Sequence, residues 1–358
     1  MQRPVGYGDR PDTTVSSHYP QPCGSTDRMD PKAHLSPIRS PIFGIARCVL
    51  AVVCALLVGC QAHSGRAPDQ VFQGGSAGGR VLAMSPDSHL VAVGRTNGWI
   101  NLWDAESGVK QGGWSVHRQS VTGLEFLDDD RLISSGYDGY VVVWRPNGKR
   151  LTRWDAGAPV TALALASDEG PVLTGHADGT VSRWRLDGSR IDQRPGHRGA
   201  VRALAVEPLG KGFASSGHDG QVLLWTSEGV PTTLPPPGTD ARTLVFTPDA
   251  TALLGAGWFN VYRWNVARRS LETLPTEHQG IINDLSYLPD GRLASISRHT
   301  DSSVLIIDPD SGFTVERFQG HQLCGSAVAP SADGLYLSST SDDATVRVWR
   351  LDTPASDL

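Results

Sequence analysis

All-β is the fold class the sequence predicts, and three observations predict it. Strand-like segments ending in a bulky apolar residue recur seven times, at Trp103, Trp144, Trp184, Trp225, Trp264, Ile307 and Trp349, in steps of 41, 40, 41, 39, 43 and 42 residues. Six residues before six of these ends stands a turn residue, at Asn97, Asp138, Asp178, Asp219, Asp301 and Asp343, and Trp258 breaks the series in the fifth unit. The intervening text alternates with the period of two of a half-buried strand, as in Val121-Thr122-Gly123-Leu124-Glu125-Phe126.

The first sixty residues read as an address. Residues 1–28 read as a non-native or extended leader ahead of Met29, the expected true start, and residues 29–59 as a lipoprotein signal peptide. Lys32, Arg39 and Arg47 precede an apolar run from Cys48 to Gly59 that is too short to span a bilayer comfortably. Leu57-Val58-Gly59-Cys60 resembles the lipobox of bacterial lipoproteins, which implies that Cys60 is acylated and becomes the mature first residue. An ordinary signal peptide is the plainer alternative. In a two-membrane bacterium, Gln61 after the anchor implies sorting to the outer membrane, facing the periplasm. Residues 60–69 are small and polar, as a flexible tether should be. With Cys60 acylated, Cys324 would have no intramolecular disulfide partner in the mature chain.

From residue 70 onward each unit supplies about four short antiparallel strands. Asp-Gly, as at Asp138-Gly139, favours a tight hairpin because that turn needs positive φ. One unit cannot bury its own faces, so neighbours must stack. The units resemble the WD40 family, whose period is about 40–45 residues with Gly-His early and Trp-Asp late. Gly196-His197 and Gly320-His321 match the early pair, His117 and His278 match its histidine, and Trp103-Asp104 matches the late pair. The resemblance covers residues 70–358 and implies a seven-bladed β-propeller of four-stranded antiparallel blades. Phe72-Gln73-Gly74 repeats the wording of Phe318-Gln319-Gly320. The family's manner of closure then makes Gln70–Gln73 the outermost strand of the last blade, which protects its edge.

Composition narrows the function. A net charge of −5 offers no basic surface to nucleic acid, and five cysteines without a C-x-x-C pair exclude a zinc ribbon. Three units repeat His, Ser, Asp and Trp at matching spacings: His117, Ser134, Asp138, Trp144; His197, Ser215, Asp219, Trp225; and His321, Ser339, Asp343, Trp349. Ser-His-Asp invites a hydrolase reading. The family resemblance implies instead a structural hydrogen-bond network, and a nucleophile needs one accessible pocket rather than three copies inside separate blades. Gly74-Gly75-Ser76-Ala77-Gly78 fits G-x-S-x-G, but strand residues rather than a helix follow it. No catalytic residue, metal or cofactor is expected.

The resemblance implies a scaffold whose loop face holds other proteins or peptides. Tyr137, Arg202, His218, Arg242 and Trp258 fall at the family's contact positions, or at the odd turn of unit five, and are residue types enriched at binding hot spots. Arg80 and Asn283 occupy further such positions. The leading expectation is a non-catalytic protein-interaction scaffold, lipid-tethered in a bacterial envelope and partnered by other envelope proteins. The rival is a propeller enzyme, lactonase-like or quinone-dependent, working in the central channel. A third reading is an intracellular scaffold whose leader has been misread.

Overall fold

The protein is described by a computed structural model over residues 65–352, except 168–169, 211, 227–229 and 299–301. Cys60, Gln61, the signal segment, Thr300 and Asp301 therefore lie outside the described residues.

Twenty-eight strands among the described residues form seven four-stranded antiparallel sheets. Each sheet starts from an inner strand: β2 (Gly79–Met84), β6 (Val121–Asp128), β10 (Val160–Leu165), β14 (Val201–Val206), β18 (Thr243–Phe246), β22 (Ile282–Tyr287) and β26 (Gly325–Pro330). Neighbouring inner strands touch one another in sequence order, and β26 touches β2, so they close a ring around a central channel. The outer strand of the fourth blade, β17 (Thr232–Thr233), is two residues long. Pro231 and Pro235–Pro237 flank it, and a residue without an N–H cannot extend a ladder.

Closure follows the expected register. β1 (Gln70–Gln73) pairs antiparallel with β28 (Thr345–Arg350), matching Gln70 to Val348 and Gln73 to Thr345. The seventh blade is thus built from both ends of the described chain, and no blade is left with a missing outer strand. The segment just before β1 is bonded to the propeller as well. The Arg66 N–H donates to the Arg317 carbonyl at 3.0 Å, and the Gln319 N–H donates to the Arg66 carbonyl at 2.9 Å. Arg66 also pairs with Glu316 at 3.4 Å. The described end of the expected tether, residues 65–69, is therefore not a free linker: its backbone groups find partners on the last two blades.

Seven apolar clusters hold the blades together, one at each junction. Period-two alternation sends successive inner-strand side chains to opposite neighbours: Leu82 packs toward the last blade with Val346 and Val348, and Ala83 toward the second with Leu124 and Leu132. Trp144, Trp184, Trp225, Trp264 and Trp349 and the sixth unit's Ile307 are all buried at these junctions. Ile307 replaces the indole without loss of burial because Leu285, Leu293 and Leu305 fill the space beside it.

The residue after each turn position is left-handed in all seven blades. Glycine meets that demand at Gly98, Gly139, Gly179 and Gly220, with φ between 75° and 83° at the first and last of them. A Cβ at Gly98 or Gly179 would collide with the carbonyl of His117 or His197. The last three blades place Phe259 (φ 64°), Ser302 (φ 38°) and Ala344 (φ 63°) there instead. Cys324 is buried and disulfide-bonded, with its partner outside the described residues, which corrects the expectation of an unpaired Cys324.

Candidate functional site

The end of the channel where the inner strands begin carries the charge. Six of the seven inner strands open with a β-bulge, which leaves one residue out of the ladder and re-aims its side chain. The bulged residues are Arg80, Thr122, Thr161, Arg202, Asn283 and Ser326. The fifth blade has no bulge, and Arg242 stands at the same level, its N–H bonded to the Ala256 carbonyl at 2.7 Å. A second circle lies beside this one, at residues whose N–H groups bond the carbonyl just ahead of the inner strand: Thr96, Tyr137, Ala177, His218, Arg298 and Asp342. In the sixth blade Arg298 holds this register, with its N–H 2.8 Å from the Ile281 carbonyl.

Arg80, Arg202, Arg242 and Arg298 converge. Burial pushes Arg242 down to about 10, and Arg202, Arg298 and Arg80 add to the effect. Burial, then Arg298 and Arg202, lower Arg80, while Asp342 acts in the opposite sense. Two carboxylates stand among them: Asp240 lies 3.6 Å from Arg202, and Asp342 lies 4.0 Å from Arg298. Asp240 also lines a cavity of about 310 Å³ together with His218, Asp219 and Pro236.

Of the five residues expected to meet a partner, the structure thus gathers Arg202, His218 and Arg242 around Asp240. Tyr137 sits in the second circle, on the second blade, 36% exposed. Trp258 lies in the fifth-blade turn, bridged to Ile281. Its ring packs 5.6 Å from that of Phe259, and both side chains are close to half exposed. Phe259 was missed in the sequence, although an aromatic pair replacing Asp-Gly at a turn was there to be noticed.

The repeated His, Ser and Asp groups are closed on themselves. In the fourth blade His197 Nδ1 is 3.0 Å from Asp219, its Nε2 is 2.8 Å from the Ser215 hydroxyl, and the Trp225 N–H donates to that hydroxyl at 2.8 Å. Because an ionised Asp only accepts, Nδ1 carries the proton and Nε2 accepts from Ser215. The second and seventh blades repeat the His–Asp and His–Ser bonds but not the tryptophan bond. Trp144 packs 5.8 Å from Trp114, and its N–H has no partner among the described residues. Trp349 donates instead to the Arg66 carbonyl at 3.1 Å, a group delivered by closure. The expected four-membered network is therefore complete in the fourth blade and three-membered in the other two.

Two blades build variants that spacing did not reveal. In the third, Trp184 donates to Thr174 at 2.8 Å, Thr174 lies 2.9 Å from His176, and His176 lies 3.1 Å from Ser182. In the sixth, His278 Nε2 meets Ser295 at 2.9 Å. Each serine hydroxyl is buried in a blade, where no substrate carbonyl can reach it.

Two carboxylates also face the channel at other depths. Asp284 accepts from the N–H groups of Val328 and Leu285 at 3.1 and 3.0 Å and from the Thr243 hydroxyl at 3.2 Å, while burial pushes it up to about 6. Glu125 lines a cavity of about 510 Å³ at the opposite end from the arginines, beside Met84, Tyr287 and Pro330, and burial pushes it up to about 7. They are single groups rather than a converging set. Among the described residues no group of three or more His, Cys, Asp and Glu side chains is placed to hold a metal ion.

Seven closed four-stranded blades define a β-propeller, and the comparisons bear on its class. Residues 67–104, 108–145, 188–226 and 312–350 match the family model of the WD domain, G-beta repeat. The chain is similar to the guanine nucleotide-binding protein subunit beta of Saccharomyces cerevisiae, 23% identical over 321 residues that cover 74% of this chain and 75% of that protein. It is similar also to telomerase protein component 1 of Mus musculus, 25% identical over 279 residues, 74% of this chain and 10% of that protein. Human striatin-4 is 22% identical over 337 residues, 80% of this chain and 44% of that protein. The chain thus spans about a tenth of the telomerase component and under half of striatin-4.

Proposed function

We propose that this chain is a non-catalytic scaffold that binds other proteins through the arginine-bearing end of its propeller, and that acylated Cys60 tethers it to a bacterial cell envelope. One observation carries the binding half: partner-type side chains stand open at one end, whereas the His, Ser and Asp groups repeated in the second, fourth and seventh blades bond one another within their blades. Tyr137, Arg202, His218, Arg242 and Trp258, joined by Phe259, form that surface, and the WD repeats agree with such a role. The rival, a channel enzyme, would need a site constellation that Glu125 and Asp284 do not make, since they lie on different blades at different depths.

The anchor rests on the Leu57-Val58-Gly59-Cys60 wording. Metabolic labelling with a palmitate analogue tests it: label is expected in the native chain and absent from Cys60→Ser. For the binding half, crosslinking in native cells is expected to trap a protein partner at the arginine end. Unaltered crosslinks after alanine replacement of Arg202, His218 and Arg242 would remove that reading.

A further inference from the structure

The circle of bulged residues is polar all round, but its members differ in what they have left to offer. The Thr122 hydroxyl donates to the Val160 carbonyl at 2.8 Å, the Thr161 hydroxyl to the Gly175 carbonyl at 3.1 Å, and the Asn283 amide to the Gly325 carbonyl at 2.7 Å. Their donors are used by the channel wall. The arginines are under-used. No hydrogen bond joins the Arg80 or Arg242 guanidinium to a described residue, and the buried Nε of Arg202 has no partner.

Charge points the same way. Asp240 lies beside Arg202 and Asp342 beside Arg298, while among the described residues neither the Arg80 nor the Arg242 guanidinium has a salt-bridge partner within 4 Å. The arginines sit on the first, fourth, fifth and sixth blades, yet Arg80 and Arg202 sense one another across the opening. Arg80 meets solvent in the channel while protein atoms surround it, which weakens screening there. Arg80 and Arg242, planar cations whose guanidiniums bond no described residue, suit an oxyanion, because guanidinium binds carboxylate and phosphate in a two-pronged fashion. Asp240 and Asp342 stand 3.6 and 4.0 Å from Arg202 and Arg298.

We infer that Arg80, Arg202, Arg242 and Arg298 form a socket for an oxyanion, carboxylate or phosphate, carried on a peptide segment of the protein partner. The inference rests on the scaffold reading and names the chemistry of its ligand. The segment enters the mouth of the channel with its anionic group between the first-blade and fifth-blade arginines. Trp258, Phe259 and Tyr137 lie outside the socket and meet the flanking residues.

Fluorescence anisotropy of the full chain tests it, using four probes: a labelled Gly/Ser peptide with three consecutive Glu, its phosphoserine counterpart, its Gln counterpart, and inorganic phosphate as competitor. Binding by the Glu or phosphoserine peptide is expected, at least tenfold tighter than by the Gln peptide, and weaker as salt rises. The double variant Arg80→Gln/Arg242→Gln is expected to lose at least tenfold, while Glu125→Gln binds as the native chain does. Should the Gln pair fold poorly, Arg80→Lys/Arg242→Lys keeps the charge and is expected to bind with an intermediate loss. Preference for phosphoserine over Glu would name phosphate as the group. Equal binding by the Gln peptide, no binding by any peptide, or an unaffected double variant would overturn the socket. Inorganic phosphate binding as tightly as either peptide would overturn the peptide source. Partner crosslinking that survives the double variant ends the socket but keeps the scaffold; loss of all protein crosslinks in the native chain ends the scaffold itself.

Discussion

The fourth and fifth blades are neighbours built on the same plan, and they spend their turn residues in opposite ways. In the fourth, Asp219 turns inward, accepting from His197 at 3.0 Å and from the Arg198 N–H at 3.0 Å. In the fifth, Trp258 and Phe259 occupy the same turn and face outward. The fifth blade keeps its buried indole by another route, with Trp264 donating to the Pro235 carbonyl at 2.8 Å. One blade uses its turn to lock the interior; the other locks the interior elsewhere and frees the turn for contact. The difference teaches that these two blades both satisfy the buried indole, each with a different acceptor.

The sharpest way to break the comparison is to remove the buried partner on the locked side. Trp225→Ala should destabilise by about 3–5 kcal/mol, read from denaturant unfolding, because it empties a filled junction and removes the donor to Ser215. Trp258→Ala should change stability by less than about 0.5 kcal/mol, since the ring is nearly half exposed. Next, His197→Ala should cost about 2–3 kcal/mol, because it leaves Asp219 and Ser215 short of partners.

The turn carboxylates give the locked blades a pH signature. Burial raises Asp138, Asp219 and Asp343, but bonds from the paired histidines and backbone N–H groups outweigh it and hold all three below the usual range. A carboxylate held low in the folded state stabilises above its unfolded value, near 3.9, and that stability is lost as pH falls through the folded value. Thermal melts should therefore fall steeply below about pH 4 in the native chain, and Asp219→Asn should flatten that slope while lowering stability at pH 7.

Glu125 runs in the other direction. Its folded value is raised to about 7, so its stability contribution is lost as pH rises from the unfolded value through 7. Glu125→Gln should stabilise by about 1–2 kcal/mol at pH 8 and by little at pH 5. The freed turn gives one more test. Phe259 is left-handed at φ 64°, and Phe259→Gly should raise stability by about 1 kcal/mol while weakening partner capture.

Much of this architecture is legible in the chain itself. Spacing of Trp103 through Trp349 marks the seven blades, and the repeated Phe-Gln-Gly predicts the closing strand that pairs Gln70 with Val348. Strand alternation is local and periodic, so it survives in one dimension. The arginine circle was partly visible: Arg80, Arg202 and Arg242 share a position in their units, but Arg298 sits in a different register. Trp349 was assigned to Ser339 by analogy with its repeats, whereas closure brings the Arg66 carbonyl within reach. Bonds between residues 283 positions apart leave no trace in a repeat pattern. Glu125 likewise became notable only once the inner strands enclosed a cavity around it.

The most direct measurement is quantitative crosslinking of the full chain in its native cells, comparing native protein with Trp258→Ala/Phe259→Ala and recording the melting temperature of each. A partner adduct reduced at least tenfold, with melting changed by no more than a degree or two, is the expected result. An undiminished adduct, or a pair of substitutions that unfolds the propeller, would contradict a surface set aside for binding.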